Sequence, residues 1–186
     1  MDAYDIFKYD LKGQSGGMLI VDTVNSDKII ILGKSNIPKR AKEYESFGGK
    51  VEKYDLSSLH TAIRETVEEF FNVKIEQKHI DRLAYDFRMK GLIVGQYEYF
   101  GMSYLINFYG LNEIFIKLCE VDTNFLKYKI NDVFDLEQYI ADRIVVEKSK
   151  NGLNEIVSIH VFRLSDVKKN KFKLSWFTIK IIWKML

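Results

Sequence analysis

The sequence predicts an α/β or α+β protein, and three observations support this prediction. Segments with strand-like and helix-like patterns alternate along the chain instead of forming separate runs. Apolar residues make up 47% of the 186 residues and charged residues 29%, a balance typical of a globular protein with a packed core. The single cysteine, Cys119, excludes an internal disulfide and a zinc cluster built from several cysteines.

The composition also predicts a cytoplasmic protein without a membrane partner. Its apolar runs are far shorter than the roughly 18–20 residues that a membrane-spanning helix needs, and its first residues are too acidic and polar for a secretory signal. The net charge of +2 neither requires nor excludes nucleic acid as a partner. No repeat or linker divides the chain, so we predict a single domain over residues 1–186.

The first third of the chain predicts a β-hairpin and a basic loop. Residues 16–24 and 28–32 are rich in aliphatic and β-branched side chains, and the polar residues between them can form a turn. Residues 34–45 are polar, with several basic side chains, and predict a loop. Gly48 and Gly49 come next and predict a tight turn, because glycine permits unusual backbone geometry.

The rest of the chain alternates between helical and strand-like patterns. A helical period begins at Ser57 or Ser58, both suitable N-caps, and runs to about Phe71. Branched and aromatic residues predict further strands at 80–87, 92–94, 97–109 and 155–164. Apolar periodicity predicts further helices at 112–120, 135–148 and 175–186. In the last helix, which we expect to pack on the domain, the apolar face consists of Trp176, Phe177, Ile179, Ile181, Ile182 and Trp183.

The helix after the double glycine carries three carboxylates on one side. At about 100° per residue, its apolar side chains fall on one arc, and Glu65, Glu68 and Glu69 fall on the other. Their spacings of three and four residues make these acids neighbours that repel one another. A divalent cation such as Mg²⁺ would remove the repulsion by binding the carboxylate oxygens. The alternative interpretation is a solvated acidic surface on an exposed helix.

Two neighbouring features favour the metal-binding interpretation. Arg64 is four residues before Glu68 and can orient its carboxylate. The predicted turn at Gly48 and Gly49 can aim backbone groups at the acidic side of the helix. A helix, a glycine turn and three carboxylates are the parts needed to hold Mg²⁺ against a diphosphate.

Residues 48–71 resemble a Nudix box, the signature of the Nudix hydrolase family. Residues 64–69, Arg-Glu-Thr-Val-Glu-Glu, match its core of Arg-Glu-U-x-Glu-Glu, in which U is a bulky aliphatic residue. Residues 48–52, Gly-Gly-Lys-Val-Glu, match its opening. The upstream hairpin and the strand before the last helix also lie where similar proteins place them.

The resemblance has three departures. Gly49 lies one residue further from Arg64 than the signature requires, and Phe71 replaces a glycine. The place of the signature's first glutamate falls on Leu56. A one-residue insertion would bring Asp55 into that place, or Glu52 would serve instead.

The resemblance implies an α/β fold, a Nudix-like α/β/α sandwich with a mixed β-sheet. It implies metal-dependent hydrolysis of a diphosphate linkage, in which Mg²⁺ or Mn²⁺ neutralises phosphate and lowers the pKa of a bound water. By this resemblance Glu65 and Glu68 are catalytic as well as metal-binding, and Arg64 orients them. The implied metal ligands are Glu65, Glu68, Glu69 and the backbone of Gly49.

The general base is expected outside the signature, and Glu155, at the start of a predicted strand, is the first candidate. The alternative interpretation is an exposed glutamate at a strand end, and Glu113, Glu120 and Glu147 are the other candidates. The candidate substrate contacts are Lys50, Glu52, Arg40 in the basic loop, and Tyr97, which could stack on a nucleobase. The alternative interpretation of Arg40 is a residue of a solvated loop, and that of Tyr97 is a residue on a half-buried strand face.

Three functions are compatible with these residues. The first is a Nudix pyrophosphohydrolase acting on a nucleotide-type small molecule, and the second is an enzyme that removes the 5′ cap of RNA. The third is a non-catalytic Nudix-fold module that binds or regulates through a nucleotide or RNA. The resemblance is compatible with a homodimer. A basic run at 168–173 could favour RNA, or it could be a solvated linker before the last helix.

Overall fold

The computed structural model describes residues 13–41, 43–98, 101–145, 147, 153–169 and 172–186. The strands in these ranges are β1 (Ser15–Val24), β2 (Asp27–Ser35), β3 (Tyr44–Glu45), β4 (Phe47–Lys50), β5 (Val94–Glu98), β6 (Gly101–Ile106), β7 (Lys129–Ile130), β8 (Val133–Phe134) and β9 (Ile156–Arg163). The α-helices are α1 (Ser58–Glu65), α2 (Gln77–Lys90), α3 (Phe108–Val121), α4 (Leu136–Asp142), α5 (Leu164–Lys168) and α6 (Trp176–Met185). Short 3₁₀ turns cover Pro38–Arg40 and Thr123–Tyr128, and a π-helical segment, Thr66–Phe70, continues α1.

The main sheet is mixed. Strand β1 pairs in parallel with β6 and antiparallel with β2. Strand β2 also pairs with β9, and β6 with β5, both antiparallel. Beyond the β1–β2 hairpin, the short strand β3 pairs with the end of β2, and the short strand β4 pairs with the start of β1. The β7–β8 hairpin is a separate two-stranded sheet.

Helices cover both faces of the main sheet because its central strands are apolar on both sides. Met18 and Ile20 belong to the larger core, which contains the buried faces of α1 to α4. Leu19 and Ile30 belong to a second core with α5 and α6. This alternation is the period-2 pattern of a strand buried on both faces. The predicted α/β/α sandwich with a mixed sheet is confirmed. Within the described ranges, every helix lacks the length and apolar character needed to cross a bilayer.

The predicted hairpin and the predicted helix after the glycines are also confirmed. Asn25 and Ser26 turn the hairpin with positive φ angles of 50° and 68°, as a tight two-residue turn requires. Ser57 caps α1, since its side chain accepts the Leu59 N–H. The loop predicted at 34–45 contains the end of β2 and all of β3.

The strand predicted at 80–87 is wrong, because these residues lie within α2. Their buried members, Ile80, Leu83, Ala84 and Phe87, follow helical spacing and pack into the larger core. The strand predicted at 92–94 begins only at its last residue. The run predicted as one strand at 97–109 contains the end of β5, all of β6 and the start of α3.

Helices α3, α4 and α6 confirm the other helical predictions in part. Helix α4 ends at Asp142 instead of near residue 148, and Arg143 turns back toward the π-helical segment. In α6, Ile181 and Ile182 are buried as predicted, but Trp176, Ile179 and Trp183 are exposed, so the predicted docking face is wrong for these three.

Candidate active site

The two glycines of the signature lie in strand β4. Gly48 and Gly49 pair with Gly17 and Gly16 of β1, so the predicted tight turn is wrong. A Cβ atom on Gly16 would overlap the backbone of α1, and one on Gly49 would overlap the carboxylate of Glu65. Glycine is therefore required at Gly16, where α1 packs directly on the backbone of β1, whereas at Gly49 the contact is with the flexible end of the Glu65 side chain.

A buried ion pair connects the start of the α1 loop to Arg64. Asp55 is fully buried and accepts hydrogen bonds from Arg64 Nε at 3.2 Å and Arg64 Nη2 at 3.0 Å. Thr61 Oγ1 and the Glu52 N–H also donate to Asp55 Oδ2. Leu56, by contrast, is 60% exposed. Asp55 and not Leu56 thus contacts Arg64, which is compatible with the alternative that an insertion brings Asp55 into the place of the signature's first glutamate.

Arg64 also holds the first carboxylate of the predicted trio. Its Nη1 donates to Glu65 Oε1 at 2.8 Å and lies 3.7 Å from Glu68 Oε2, and its Nη2 donates to the Lys50 carbonyl. Burial lowers the pKa of Arg64, but the hydrogen bonds of Asp55 and the charge of Glu65 outweigh burial and raise that pKa above its ordinary value. Arg64 thus remains a permanent cation that orients its neighbours.

Glu65 and Glu68 line a groove, and burial outweighs the nearby positive charges in setting their pKa values. Burial raises the pKa of Glu65 to about 7 against the opposing charge of Arg64, and the charges of Glu68 and Glu155 add to the rise. Burial also raises the pKa of Glu68, although Lys74 and Arg64 oppose it. Lys74 Nζ lies 3.6 Å from Glu68 Oε1.

Glu69 lies beneath the strand and not along the groove. It is 5% exposed, and its Oε2 accepts the Gly48 N–H at 2.7 Å. Burial raises the pKa of Glu69 well above its ordinary value, and the charge of Glu65 adds to this effect. A second buried acid near it, Glu45, was missed by the sequence analysis because it lies in the predicted loop. The assignment of Glu69 as a metal ligand stays a prediction.

The π-helical segment that carries Glu68 and Glu69 is anchored at its end. Arg143 Nη2 donates to the Glu69 carbonyl, and Arg143 Nε and the Tyr139 hydroxyl donate to the Phe70 carbonyl, at distances of 2.8–3.2 Å. These donors satisfy carbonyls that a π turn leaves without regular α-helical partners. Phe71, which replaces the signature glycine, is 3% exposed and packs in the larger core.

Three asparagines connect this segment to Glu155. Asn72 has a left-handed φ of 57°, and its side chain exchanges two hydrogen bonds with Asn154, whose φ is 60°. Asn36 Nδ2 donates to the Asn154 carbonyl, and the Asn36 N–H donates to the Glu155 carbonyl, both at 2.7 Å. The backbone on both sides of Glu155 is thereby held against the end of the carboxylate-bearing segment.

The groove has a volume of about 590 Å³ and combines acids with bases. Its lining comprises Ile37, Arg40, Gly48, Gly49, Lys50, Glu52, Arg64, Glu65, Glu68, Lys74 and Glu155. Arg64, Glu65 and Glu68 form its buried part, while Arg40, Glu52 and Lys74 are about half exposed, at 47%, 51% and 49% of their side chains. Arg40 donates to Glu45 Oε2 at 2.6 Å.

The groove gathers most of the predicted site residues and two that were missed. Lys74 and Ile37 were missed because they belong to no motif, and only the fold brings them to the signature. The side chain of Tyr97 lies outside the described part of the structure, although its backbone lies in β5. Of the other base candidates, Glu113 pairs with Lys90, Glu120 pairs with Lys117, and none of Glu113, Glu120 and Glu147 is a lining residue.

The donors of the groove suit a divalent metal ion. In the part of the chain that the structure describes, no three side chains of His, Cys, Asp or Glu converge as a ready-made metal site. Carboxylate oxygens are nonetheless the ligands that Mg²⁺ and Mn²⁺ prefer. Because burial and the charges of neighbouring acids raise the pKa values of Glu65 and Glu68, these carboxylates would gain from a cation beside them. The chemistry of both carboxylates therefore fits such an ion.

Solved structures with a similar fold include Nudix proteins. One is a MutT/Nudix family protein from Enterococcus faecalis, with 14% identity and a TM-score of 0.40 over 84% of this chain and 45% of that one. Another is the NUDIX domain of Shewanella oneidensis NrtR complexed with ADP ribose, with 10% identity and a TM-score of 0.46 over 98% and 95% of the two chains. A third is an Ap4A hydrolase from C. elegans, with 16% identity and a TM-score of 0.39 over 84% of each chain.

This chain spans 45% of the length of the Enterococcus faecalis protein. No protein-family model and no curated protein matches the sequence. Such distant likenesses leave the assignment of function to the geometry of this chain's own residues.

Proposed function

We propose that the chain is a Nudix hydrolase that cleaves a diphosphate linkage in a nucleoside diphosphate derivative with the help of Mg²⁺ or Mn²⁺. One observation carries this proposal. Glu65 and Glu68 of the signature line the same groove as Arg64 and Glu155, beside the two glycines of β4. Glu155 is separated from the signature by many residues of chain, so its presence in the groove is independent of the sequence match.

Four side chains of the groove have roles in the proposed chemical step. Glu65 and Glu68 would hold the cation, which when bound supplies charge neutralisation and a water of lowered pKa. Arg64 orients Glu65 through their hydrogen bond and is itself fixed by Asp55. Glu155 accepts a proton from the attacking water. The water oxygen bonds to phosphorus while the P–O bond of the anhydride breaks.

The exposed bases of the groove would bind the phosphates. Arg40, Lys50 and Lys74 lie along the same groove, and charge-assisted hydrogen bonds from such side chains to phosphate are strong. Lys74 contacts Glu68 in the present arrangement. It would be released to the substrate when Glu68 binds a cation.

A substrate panel tests the proposal. The purified chain is assayed with Mg²⁺ or Mn²⁺ at neutral to alkaline pH against dinucleotides, nucleotide sugars, nucleoside triphosphates and capped RNA. Glu68→Gln should lower the rate by about a hundredfold or more, since even indirect effects on metal sites reach 10–100-fold. Glu76→Gln is the matched control, because the Glu76 side chain is 70% exposed and lies outside the groove.

The outcome of the panel separates the three candidate functions. Preferred release of a nucleoside diphosphate from capped RNA would identify a cap-removing enzyme, and preferred turnover of free nucleotides a small-molecule enzyme. If no compound is hydrolysed with either metal, and Glu68→Gln binds nucleotide as well as the parent chain does, the chain is a binding or regulatory module.

A further inference from the structure

The outward side of helix α6 is an apolar strip. Trp176, Ile179 and Trp183 are 63%, 36% and 62% exposed, and their spacing of three and four residues places them on one face of the helix. The opposite face carries Thr178, Ile181 and the adjacent Ile182, which are buried against the sheet. At a rise of about 1.5 Å per residue, the two tryptophans lie about 10 Å apart along the axis. No described residue covers this strip.

Two lysines lie beside the strip. Lys180 Nζ lies 3.7 Å from the centre of the Trp176 ring, and Lys184 follows one residue after Trp183. Residues 167–186 contain six lysines and no aspartate or glutamate, and of these lysines Lys173 pairs with Glu43 and Lys168 donates to the Leu186 carbonyl. A helix with tryptophans on its outer face and lysines beside them is typical of proteins that lie in the interface of a lipid bilayer.

We propose that the outward face of α6 docks on a membrane surface that carries anionic phospholipids, which departs from the sequence-based prediction of no membrane partner. Trp176, Ile179 and Trp183 would enter the headgroup region, and the lysines would contact the anionic headgroups. Lysine stems can lie along the apolar boundary while the ammonium groups reach the headgroups. The proposal concerns contact with a surface and is independent of the proposed hydrolysis.

The chemistry of the strip disfavours two other occupants. Single-stranded nucleic acid binds aromatic side chains by stacking, but Ile179 between the two tryptophans has no ring, and Lys180 occupies one face of Trp176. A second copy of the chain would bring the same lysines toward each other, and like charges at an interface repel. An anionic bilayer offers its interface to the apolar strip and negatively charged headgroups to the lysines.

Docking through α6 would leave the groove accessible. Gly16 and Gly17 are adjacent in β1, and a Cβ atom on Gly16 would meet α1 while one on Gly17 would meet Phe177 of α6. Side chains alternate between the faces of a strand, so α1 and α6 lie on opposite faces of the sheet. The substrate groove is on the α1 side.

Vesicle binding of the full chain tests the proposal. The two tryptophans of the chain are both in α6, so their fluorescence reports on this helix alone. We expect a blue shift and co-sedimentation with phosphatidylcholine vesicles that contain phosphatidylserine, and little of either with phosphatidylcholine alone. Binding should weaken as salt is raised. Lys180→Gln and Lys184→Gln should each weaken it about fivefold.

Two double variants complete the test. Trp176→Ala with Trp183→Ala should weaken co-sedimentation at least tenfold, whereas Tyr109→Ala with Leu126→Ala, which removes side chains that are 55% and 48% exposed elsewhere, should leave it unchanged. Thermal melts confirm that all variants are folded. Equal binding to neutral and anionic vesicles, equal losses in both double variants, or tryptophan-dependent binding of single-stranded RNA without vesicle binding would each overturn the proposal.

Discussion

Replacing Asp55 by asparagine tests whether the buried Asp55–Arg64 pair maintains the groove. Asp55 accepts hydrogen bonds from two nitrogens of Arg64, from Thr61 and from the backbone of Glu52. Asparagine has nearly the same shape, so Asp55→Asn removes the charge without opening a cavity. Its amide group also cannot accept all of these hydrogen bonds, because one of its two terminal atoms is a donor.

The expected loss of stability follows from the surroundings of Arg64. Breaking a buried ion pair by removing one partner costs about 3–5 kcal/mol. Arg64 keeps Glu65 at 2.8 Å and Glu68 at 3.7 Å, so its charge is not left unpaired, and the lower end of that range applies. For a domain of this size, 1 kcal/mol corresponds to roughly 2–4 °C, so the Tm should fall by about 6–12 °C.

Scanning calorimetry of the metal-free protein measures this change. The matched control is Asp86→Asn, which removes a partially exposed partner of Arg82 on α2, an ion pair of a kind worth about 0.3–0.5 kcal/mol. Hydrolysis by Asp55→Asn should also fall, because Arg64 would no longer hold Glu65 in one position. If Asp55→Asn lowers the Tm no more than Asp86→Asn does, the pair does not stabilise this region and the reasoning is refuted.

Three other predictions concern the groove. The folded chain keeps a proton on Glu65 up to about pH 7, whereas the unfolded chain loses it near pH 4.5. The free energy of unfolding of the metal-free protein should therefore fall by up to about 3 kcal/mol as the pH rises from about 4.5 to about 7. Urea denaturation across this pH range should show a shallower fall for Glu65→Gln, and an unchanged slope would contradict the assignment. At pH 8, millimolar Mg²⁺ or Mn²⁺ should raise the Tm of the parent chain and raise that of Glu68→Gln much less; equal rises would argue against Glu68 as a ligand. Asn36→Ala should lower kcat about tenfold with little change in KM, because it removes the side-chain hydrogen bond to the Asn154 carbonyl, next to Glu155. A change confined to Tm would assign Asn36 a structural role only.

The fold and the centre of the site were largely predictable from sequence because both depend on local patterns. The alternation of apolar side chains in β1 and the helical period after Ser57 predicted the sheet and α1. The Arg-Glu-x-x-Glu-Glu spacing placed Arg64, Glu65 and Glu68 on one helix, and the structure brings them into one groove.

What could not be predicted depends on contacts between distant parts of the chain. Arg143 and Tyr139 donate hydrogen bonds to the last carbonyls of the π-helical segment, and no local sequence pattern encodes these contacts. Lys74 reaches the groove only because the chain turns at Asn72. The wrong strand prediction at 80–87 shows that branched and aromatic residues alone do not distinguish a strand from the buried face of a helix. The spacing of three and four residues between the apolar side chains is what indicates the helix.

The adjacent glycines of β1 have a mechanical consequence. At Gly16 the sheet presents bare backbone to α1, and at Gly17 it presents bare backbone to the aromatic ring of Phe177 on α6, so the strand and this rigid ring lie between the two helices here. Close-packed protein interiors transmit strain instead of dissipating it. A force that pushes α6 inward would therefore reach the first turn of α1 across the width of a single strand, and with it the helix that bears Arg64 and Glu65.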